Sequence, residues 1–223
     1  MSIHENLQKL KETLPEDVTL VAVSKTKPPE VIMEAYDAGQ RIFGENKVQE
    51  LIAKQPQLPE DIEWHFIGHM QTNKVKFLVP FIHMIHGVDS LKLLKEINKR
   101  AAKINRRIQC LLQFHIAMEE TKFGLSYPEA EQILSEIQSN KFTSIRLSGV
   151  MGMATYTDNE NQVRKEFRHL KDVFNRLKSK YFAEDESFRI ISMGMSGDYK
   201  IAIEEGSNMV RIGTAIFGER NVH

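Results

Sequence analysis

The sequence predicts an α/β protein, a single (β/α)8 barrel with an additional amino-terminal helix. Three observations lead there. Eight short apolar runs alternate with helical patterns along the whole chain. Such alternation implies a parallel sheet with helical crossovers. The chain's 223 residues suffice for one large α/β domain, near the low end for a barrel. No linker, repeat or low-complexity tract divides them, so residues 1–223 are expected to form one domain. An open doubly wound sheet is the alternative closure.

The strands are expected at 19–23, 41–43, 62–67, 82–86, 108–114, 145–150, 189–192 and 209–212. The segments between them read as helices. Segment 30–38 ends at Gly39, a carboxyl-terminal cap signal. Segment 91–104 sets Leu91, Leu94, Ile97 and Ala101 on one stripe. Segment 128–137 carries a proline in its first turn. Segment 160–177 aligns Val163, Phe167, Leu170, Phe174 and Leu177. After the last strand too little chain remains for a full helix, so the first helix, 4–13, is expected to close the ring.

Composition excludes several classes. Lysine plus arginine equals aspartate plus glutamate, 30 against 30, so no net basic charge calls for nucleic acid. The local excess at Lys99, Arg100, Lys103, Arg106 and Arg107 reads as a solvated helix face. A single cysteine, Cys110, lies in an apolar run and reads as an inert core residue. Residues 1–5 lack a signal-peptide pattern, and no apolar stretch approaches a membrane span. A cytoplasmic protein without nucleic-acid or membrane partners is expected, and a monomer.

In a barrel the residues at the carboxyl ends of the strands share one mouth. Lys25 follows the first strand, where an amine is a candidate for an imine with an aldehyde. Gly44-Glu45-Asn46 follows the second strand, Gly68-His69-Met70-Gln71 the third and Met151-Gly152-Met153 the sixth. Two turns near the carboxyl terminus read as phosphate cradles: Gly194-Met195-Ser196-Gly197 after strand seven, and Gly213-Thr214 after strand eight. Small residues let backbone N–H groups approach an anion, and hydroxyls add donors. Phosphate sites in barrels commonly use these two loops. Asp198 would repel a phosphate unless it turned to solvent or capped the helix. Arg211 sits between Val210 and Ile212, where a charge needs either an ion-pair partner or a ligand.

Other patterns exclude chemistry. Gly194-Met195-Ser196-Gly197-Asp198 lacks the last glycine of a nucleophile elbow. His65, His69, His83, His86 and His115 have no zinc-protease spacing and read as core or rim histidines. His83 and His86, placed on one strand, are expected to face opposite sides. No glycine fingerprint for a dinucleotide follows the first strand. No metal site is expected.

Five stretches carry a family resemblance: Val21-Ala22-Val23-Ser24-Lys25-Thr26-Lys27-Pro28, Phe43-Gly44-Glu45-Asn46, Trp64-His65-Phe66-Ile67-Gly68, Ser192-Met193-Gly194-Met195-Ser196 and Met209-Val210-Arg211-Ile212-Gly213-Thr214-Ala215-Ile216-Phe217-Gly218. In this order and over nearly the whole chain, they resemble the pyridoxal phosphate homeostasis proteins, which resemble the barrel domain of alanine racemase. The resemblance implies a barrel holding pyridoxal 5′-phosphate as an imine. It implies Lys25 as the imine lysine, Ser196 and Gly213-Thr214 at the phosphate, Arg211 at the pyridine nitrogen and Asn46 near the ring. Together with Met195 and Gly197 of the cradle, these form the expected cofactor site. His69-Met70 and Phe114-His115 depart from the family pattern, whereas Lys122-Phe123-Gly124 fits it.

The expected role is intracellular vitamin B6 homeostasis, with apo-enzymes as recipients of the cofactor. The alternative is an amino-acid racemase. Racemisation needs acid and base groups on both faces of the α-carbon. In the racemases that this barrel resembles, a second domain supplies the opposite face, and the barrel here consumes the chain. An arginine at the ring nitrogen also keeps that nitrogen unprotonated, which suits storage better than a stabilised carbanion. A sugar-phosphate barrel enzyme would need paired carboxylates at the mouth, where Glu45 is the one acid expected.

Overall fold

The computed structural model describes residues 2–119 and 123–219. Eight parallel strands close in sequential order: β1 (Thr19–Val23), β2 (Ile42–Glu45), β3 (Glu63–Phe66), β4 (Met84–Val88), β5 (Ile108–Gln113), β6 (Ile145–Met151), β7 (Ile190–Ser192) and β8 (Met209–Ile212). β8 pairs with β1 and seals the ring, with Val21 opposite Arg211. The barrel is therefore closed, and the open-sheet alternative is excluded.

Around it run α1 (Ile3–Thr13), α2 (Pro29–Asp37), α3 (Val48–Lys54), α4 (Val75–Leu78), α5 (Leu91–Ala102), α6 (Tyr127–Asn140), α7 (Glu160–Tyr181), α8 (Tyr199–Glu204) and α9 (Thr214–Phe217). Capping boxes start α1 (Ser2 with Glu5) and α6 (Ser126 with Glu129). As expected, α1 covers the short end of the ring, where Asn6 donates to the Ile216 carbonyl at 3.0 Å. Among the described residues no helix is long and apolar enough to cross a membrane.

The two layers follow from strand alternation. Leu20, Ala22, Phe43, Trp64, Phe66, Val210 and Ile212 point outward and pack beneath the helices. Val21, Met84, Leu111, Met151 and Met209 pack against one another inside. Cys110 is buried, and burial pushes its thiol pKa up, so the inert core reading holds.

Two strands, β2 and β4, end two residues later than expected, and β3, β5, β6 and β7 differ from expectation by one residue at one or both ends. β2 continues through Gly44 and Glu45, because a buried cation neutralises Glu45. β4 starts later and runs through Gly87 to Val88, because Ile82 ends the preceding turn by donating to the Leu78 carbonyl at 2.8 Å. His83 therefore lies outside the strand, and the alternation rule does not separate it from His86. Both rings approach His65, with centroids 5.7 Å and 5.0 Å away.

Burial drives the His65 pKa down to about 3 and that of His86 well below the ordinary range. Unfolding exposes both, and each then takes up a proton below about pH 6.5. The unfolded state binds more protons, so this stability is present above about pH 6.5 and is lost as pH falls toward 3. The expected slope reaches about 2.7 kcal/mol per pH unit. Urea unfolding at successive pH values tests this, with a shallower slope expected for His65→Gln. Equal slopes for the two proteins between pH 6 and 4 would contradict it.

Candidate functional site

Val21 and Val23 share the inward face of β1, and period two carries Lys25 onto that face at the carboxyl end. The next residue, Thr26, has φ of 65°. A β-branched residue rarely adopts this left-handed conformation, so the turn needs an anchor. The Thr26 N–H donates to Glu50 Oε1 at 2.5 Å. On the other side of Lys25, Ser24 Oγ donates to Glu45 Oε1 at 2.7 Å. Lys54 ties both anchors together. Its ammonium donates to the Ser24 carbonyl (3.0 Å), Glu45 Oε1 (2.8 Å) and Glu50 Oε1 (2.5 Å). A buried cation thus clamps the residues on both sides of Lys25.

Glu45 is not a mouth acid. Gly44 takes the inward position of β2, so Glu45 points outward to Lys54 of α3, and its carboxylate is fully buried. Burial raises its pKa, and Lys54 opposes the rise. Asn46, half-buried, returns to the inward parity beyond β2. A Cβ on Gly68 would lie 2.4 Å from the Asn46 carbonyl oxygen, so only glycine lets the third loop pack against it.

The two expected cradle loops meet. The Gly213 N–H donates to Ser196 Oγ at 3.3 Å. Gly194 has φ of 100°, and a Cβ there would lie 2.7 Å from that of Ala202. Glycine thus lets the chain turn tightly against α8. Asp198, half-buried at the start of α8, accepts the Met195 N–H at 2.6 Å. The carboxylate ties its own loop together and consumes the Met195 amide as a donor. Among the described hydrogen bonds, none uses the N–H groups of Ser196, Gly197, Thr214 or Ala215. Four amides without a partner among the described hydrogen bonds and two hydroxyls lie on adjoining loops, a donor set that suits an anion. Ala215 went unnoticed in the sequence because backbone donors leave no side-chain signature.

Arg211 is 3% exposed and faces the barrel interior from β8. It donates to Ser192 Oγ at 2.6 Å and to the Gly152 carbonyl at 3.1 Å. Burial lowers its pKa to about 10, against the Asp198 charge. The guanidinium stays charged at neutral pH. Ser192 continues the chain to His86 Nδ1 at 3.0 Å, and His86 Nε2 reaches His65 Nδ1 at 2.9 Å. This polar chain crosses the barrel interior and fixes Arg211 from beneath. No local spacing connects residues from β3, β4, β7 and β8.

Lys27 lies apart from the cradle and donates to the Phe217 carbonyl at 3.1 Å, at the end of α9. The two departures from the family pattern lie on the other side of the mouth. His69 stacks on Phe123 with ring centroids 3.9 Å apart and approaches Asp89 at 3.2 Å. His115 Nε2 reaches the Glu119 carbonyl at 2.8 Å. Lys122 lies outside the described residues.

Removing one partner of a buried ion pair leaves an uncompensated charge, which costs about 3–5 kcal/mol. Lys54→Met is expected to lose that much stability at pH 7 in denaturant unfolding. Glu45 already has a raised pKa, so its protonation in acid removes the stranded charge. The deficit should therefore shrink as pH falls. A loss below about 1 kcal/mol, or one that grows in acid, would contradict the clamp.

The family described as alanine racemase, N-terminal domain, matches residues 1–221. A relative from Aquifex aeolicus, named a pyridoxal phosphate homeostasis protein, is 43% identical over 202 residues, covering 90% of this chain and 86% of its own. One of the same name from Escherichia coli is 37% identical over 214 residues, covering 93% and 88%. Among solved structures, PipY of Synechococcus elongatus with PLP bound has a TM-score of 0.87 at 34% identity, covering 97% of this chain and 100% of its own. An alanine racemase of Clostridium difficile shares the fold alone, with a TM-score of 0.77 at 19% identity over 99% of this chain and 56% of its own. On the closed barrel and on relatives matched over nearly their full length, the chain belongs to the family of the pyridoxal phosphate homeostasis proteins, built on the amino-terminal barrel of alanine racemase.

Proposed function

We propose that this chain is a single-domain pyridoxal 5′-phosphate-binding protein that acts in cytoplasmic vitamin B6 homeostasis, holding the cofactor and releasing it to apo-enzymes. The junction of the two cradle loops carries the reading, with Ser196 Oγ bonded to the Gly213 amide and four backbone donors left over. The bound group would supply a reactive aldehyde that amines capture reversibly. Lys25 would hold it covalently, on the strand next to β8. Ser196, Gly197, Thr214 and Ala215 would hold the phosphate, with Gly213, whose N–H goes to Ser196 Oγ, shaping the turn between them. Met195 belongs to the same loop, but its spent N–H leaves it to shape the turn. Arg211, charged and pinned from below, would face the ring nitrogen and disfavour its protonation. Asn46 would lie beside the ring.

The relatives favour a carrier over a racemase. This chain spans 86–88% of the two homeostasis proteins above and all of PipY, but 56% of the racemase. A monomer suffices, since every proposed contact comes from one barrel.

Borohydride reduction of the cofactor-loaded protein, followed by peptide mapping, is expected to place the pyridoxyl label on Lys25. A label mainly on Lys27, Lys47 or Lys74 would overturn the assignment. Ser196→Ala and Thr214→Val each remove one charge-assisted hydrogen bond, about 1.5–3 kcal/mol. Affinity for pyridoxal phosphate should fall roughly 10- to 100-fold in each, without vanishing, because the backbone donors stay. Unchanged affinity in both would place the phosphate elsewhere.

For the carrier role, α-proton exchange of amino acids in deuterated water should stay at a slow background. A kcat near the enzyme median of about 10 s⁻¹, lost in Lys25→Ala, would establish the racemase instead.

A further inference from the structure

Three donor residues converge at the opposite, amino-terminal end of the barrel. Glu63 opens β3, His65 follows two residues later on the same inward face, and His83 lies just before β4. One donor atom of each lies within 4.8 Å of the others, the only such trio among the described residues. His65 is 1% exposed. Its Nδ1 is engaged by His86, and its Nε2 is buried without a hydrogen-bond partner. A buried polar atom left unpaired needs a physical reason.

The neighbours supply one. His83 Nε2 lies 3.0 Å from Gln109 Nε2 and 3.4 Å from Glu63 Oε2. Ser148 Oγ donates to Gln109 Oε1 at 3.1 Å, which turns the amide NH2 toward His83. His83 Nε2 is then the acceptor and carries a lone pair. With His65 in its Nδ1–H tautomer, its Nε2 lone pair and that of His83, which an ion would take over from the Gln109 amide, lie beside a carboxylate oxygen, an arrangement that a cation stabilises.

We propose that Glu63, His65 Nε2 and His83 Nε2 form a binding site for a divalent transition-metal ion of the zinc class. Two imidazoles and one carboxylate select such an ion over magnesium or calcium, which take oxygen ligands. Metal–ligand bonds of about 2.0–2.2 Å require the donors to draw together. Glu63 and His83 are free to do so, with side chains 46% and 39% exposed, whereas packing holds His65. A metal on His65 Nε2 puts the ring proton on Nδ1, which donates to His86 Nε2. His86 Nδ1 then donates to Ser192 Oγ. A second-sphere acceptor of this kind orients a metal-bound histidine. Glu63 lies at the solvent edge and leaves a fourth position for water.

The test uses the full untagged chain, stripped with a chelator and titrated with Co²⁺. Its visible ligand-field bands report coordination, and Zn²⁺ serves as competitor. One equivalent of Co²⁺ is expected to bind and to be displaced by Zn²⁺. His83→Ala and Glu63→Gln should each weaken it by at least about 10-fold. Zn²⁺ should raise the melting temperature of the parent and not that of Glu63→Gln, a readout that holds if His83→Ala folds poorly. Lys25→Ala should bind Co²⁺ like the parent, which separates this site from the proposed cofactor site and keeps the two readings independent. Failure to saturate below millimolar Co²⁺ would leave only a direct contact between His83 and Glu63 and overturn the proposal. Binding that survives both substitutions, or is lost in Lys25→Ala, would overturn it as well.

Discussion

Pairing of β8 with β1 brings residues nearly two hundred positions apart into one site. The pairing sets Val21 opposite Arg211 and Ala22 opposite Ile212, so Gly213 leaves β8 beside Val23, two residues before Lys25, at the same rim. Gly213 packs against β1 closely enough that a Cβ would lie 3.1 Å from the Val23 carbonyl. β7 then brings Ser196 within hydrogen-bonding reach of Gly213. An open sheet with the same strands would leave Lys25 and the cradle on different edges. The cradle, the lysine and Arg211 therefore depend on closure.

Closure alone does not fix the lysine. The chain turns through a left-handed threonine directly after it, a conformation that costs roughly 1–3 kcal/mol. The Lys54 clamp over-determines that turn by holding Ser24 and Glu50 together. A buried ion pair of this kind contributes little net stability when compared with a well-packed apolar replacement. Its worth here is geometric, since it specifies one path for the backbone on either side of Lys25. The strain and the buried charges both lie at the carboxyl end of the barrel, where such folds carry their sites.

The barrel interior is polar along one line. Glu63, His65, His86, Ser192 and Arg211 link the amino-terminal end to the mouth through successive hydrogen bonds and contacts. Around this line Val21, Met84, Leu111, Met151 and Met209 exclude water. Low polarity strengthens each hydrogen bond and makes each unpaired atom costly. A fully connected chain is stable there, and its one loose end, His65 Nε2, stands out for that reason.

The sequence by itself determined the strand count and the strand–helix alternation and favoured a barrel, while the pairing of β8 with β1 decided that the sheet closes. The count and the alternation follow from local periodicity, which is written residue by residue. It also determined Lys25, Arg211 and the two cradle loops as candidates, because strand ends and small residues can be read in one dimension. Only the tertiary structure decided that Glu45 turns away from the mouth, since a charge in a short strand looks like a loop until its buried cation is known. It alone decided that His83 and His86 both meet His65, because a turn shifts the start of β4 and voids the alternation count. The Lys54 clamp, the Ala215 amide and the His65 trio were likewise invisible. Each is a relation among residues from different strands and helices, and only packing in three dimensions creates it.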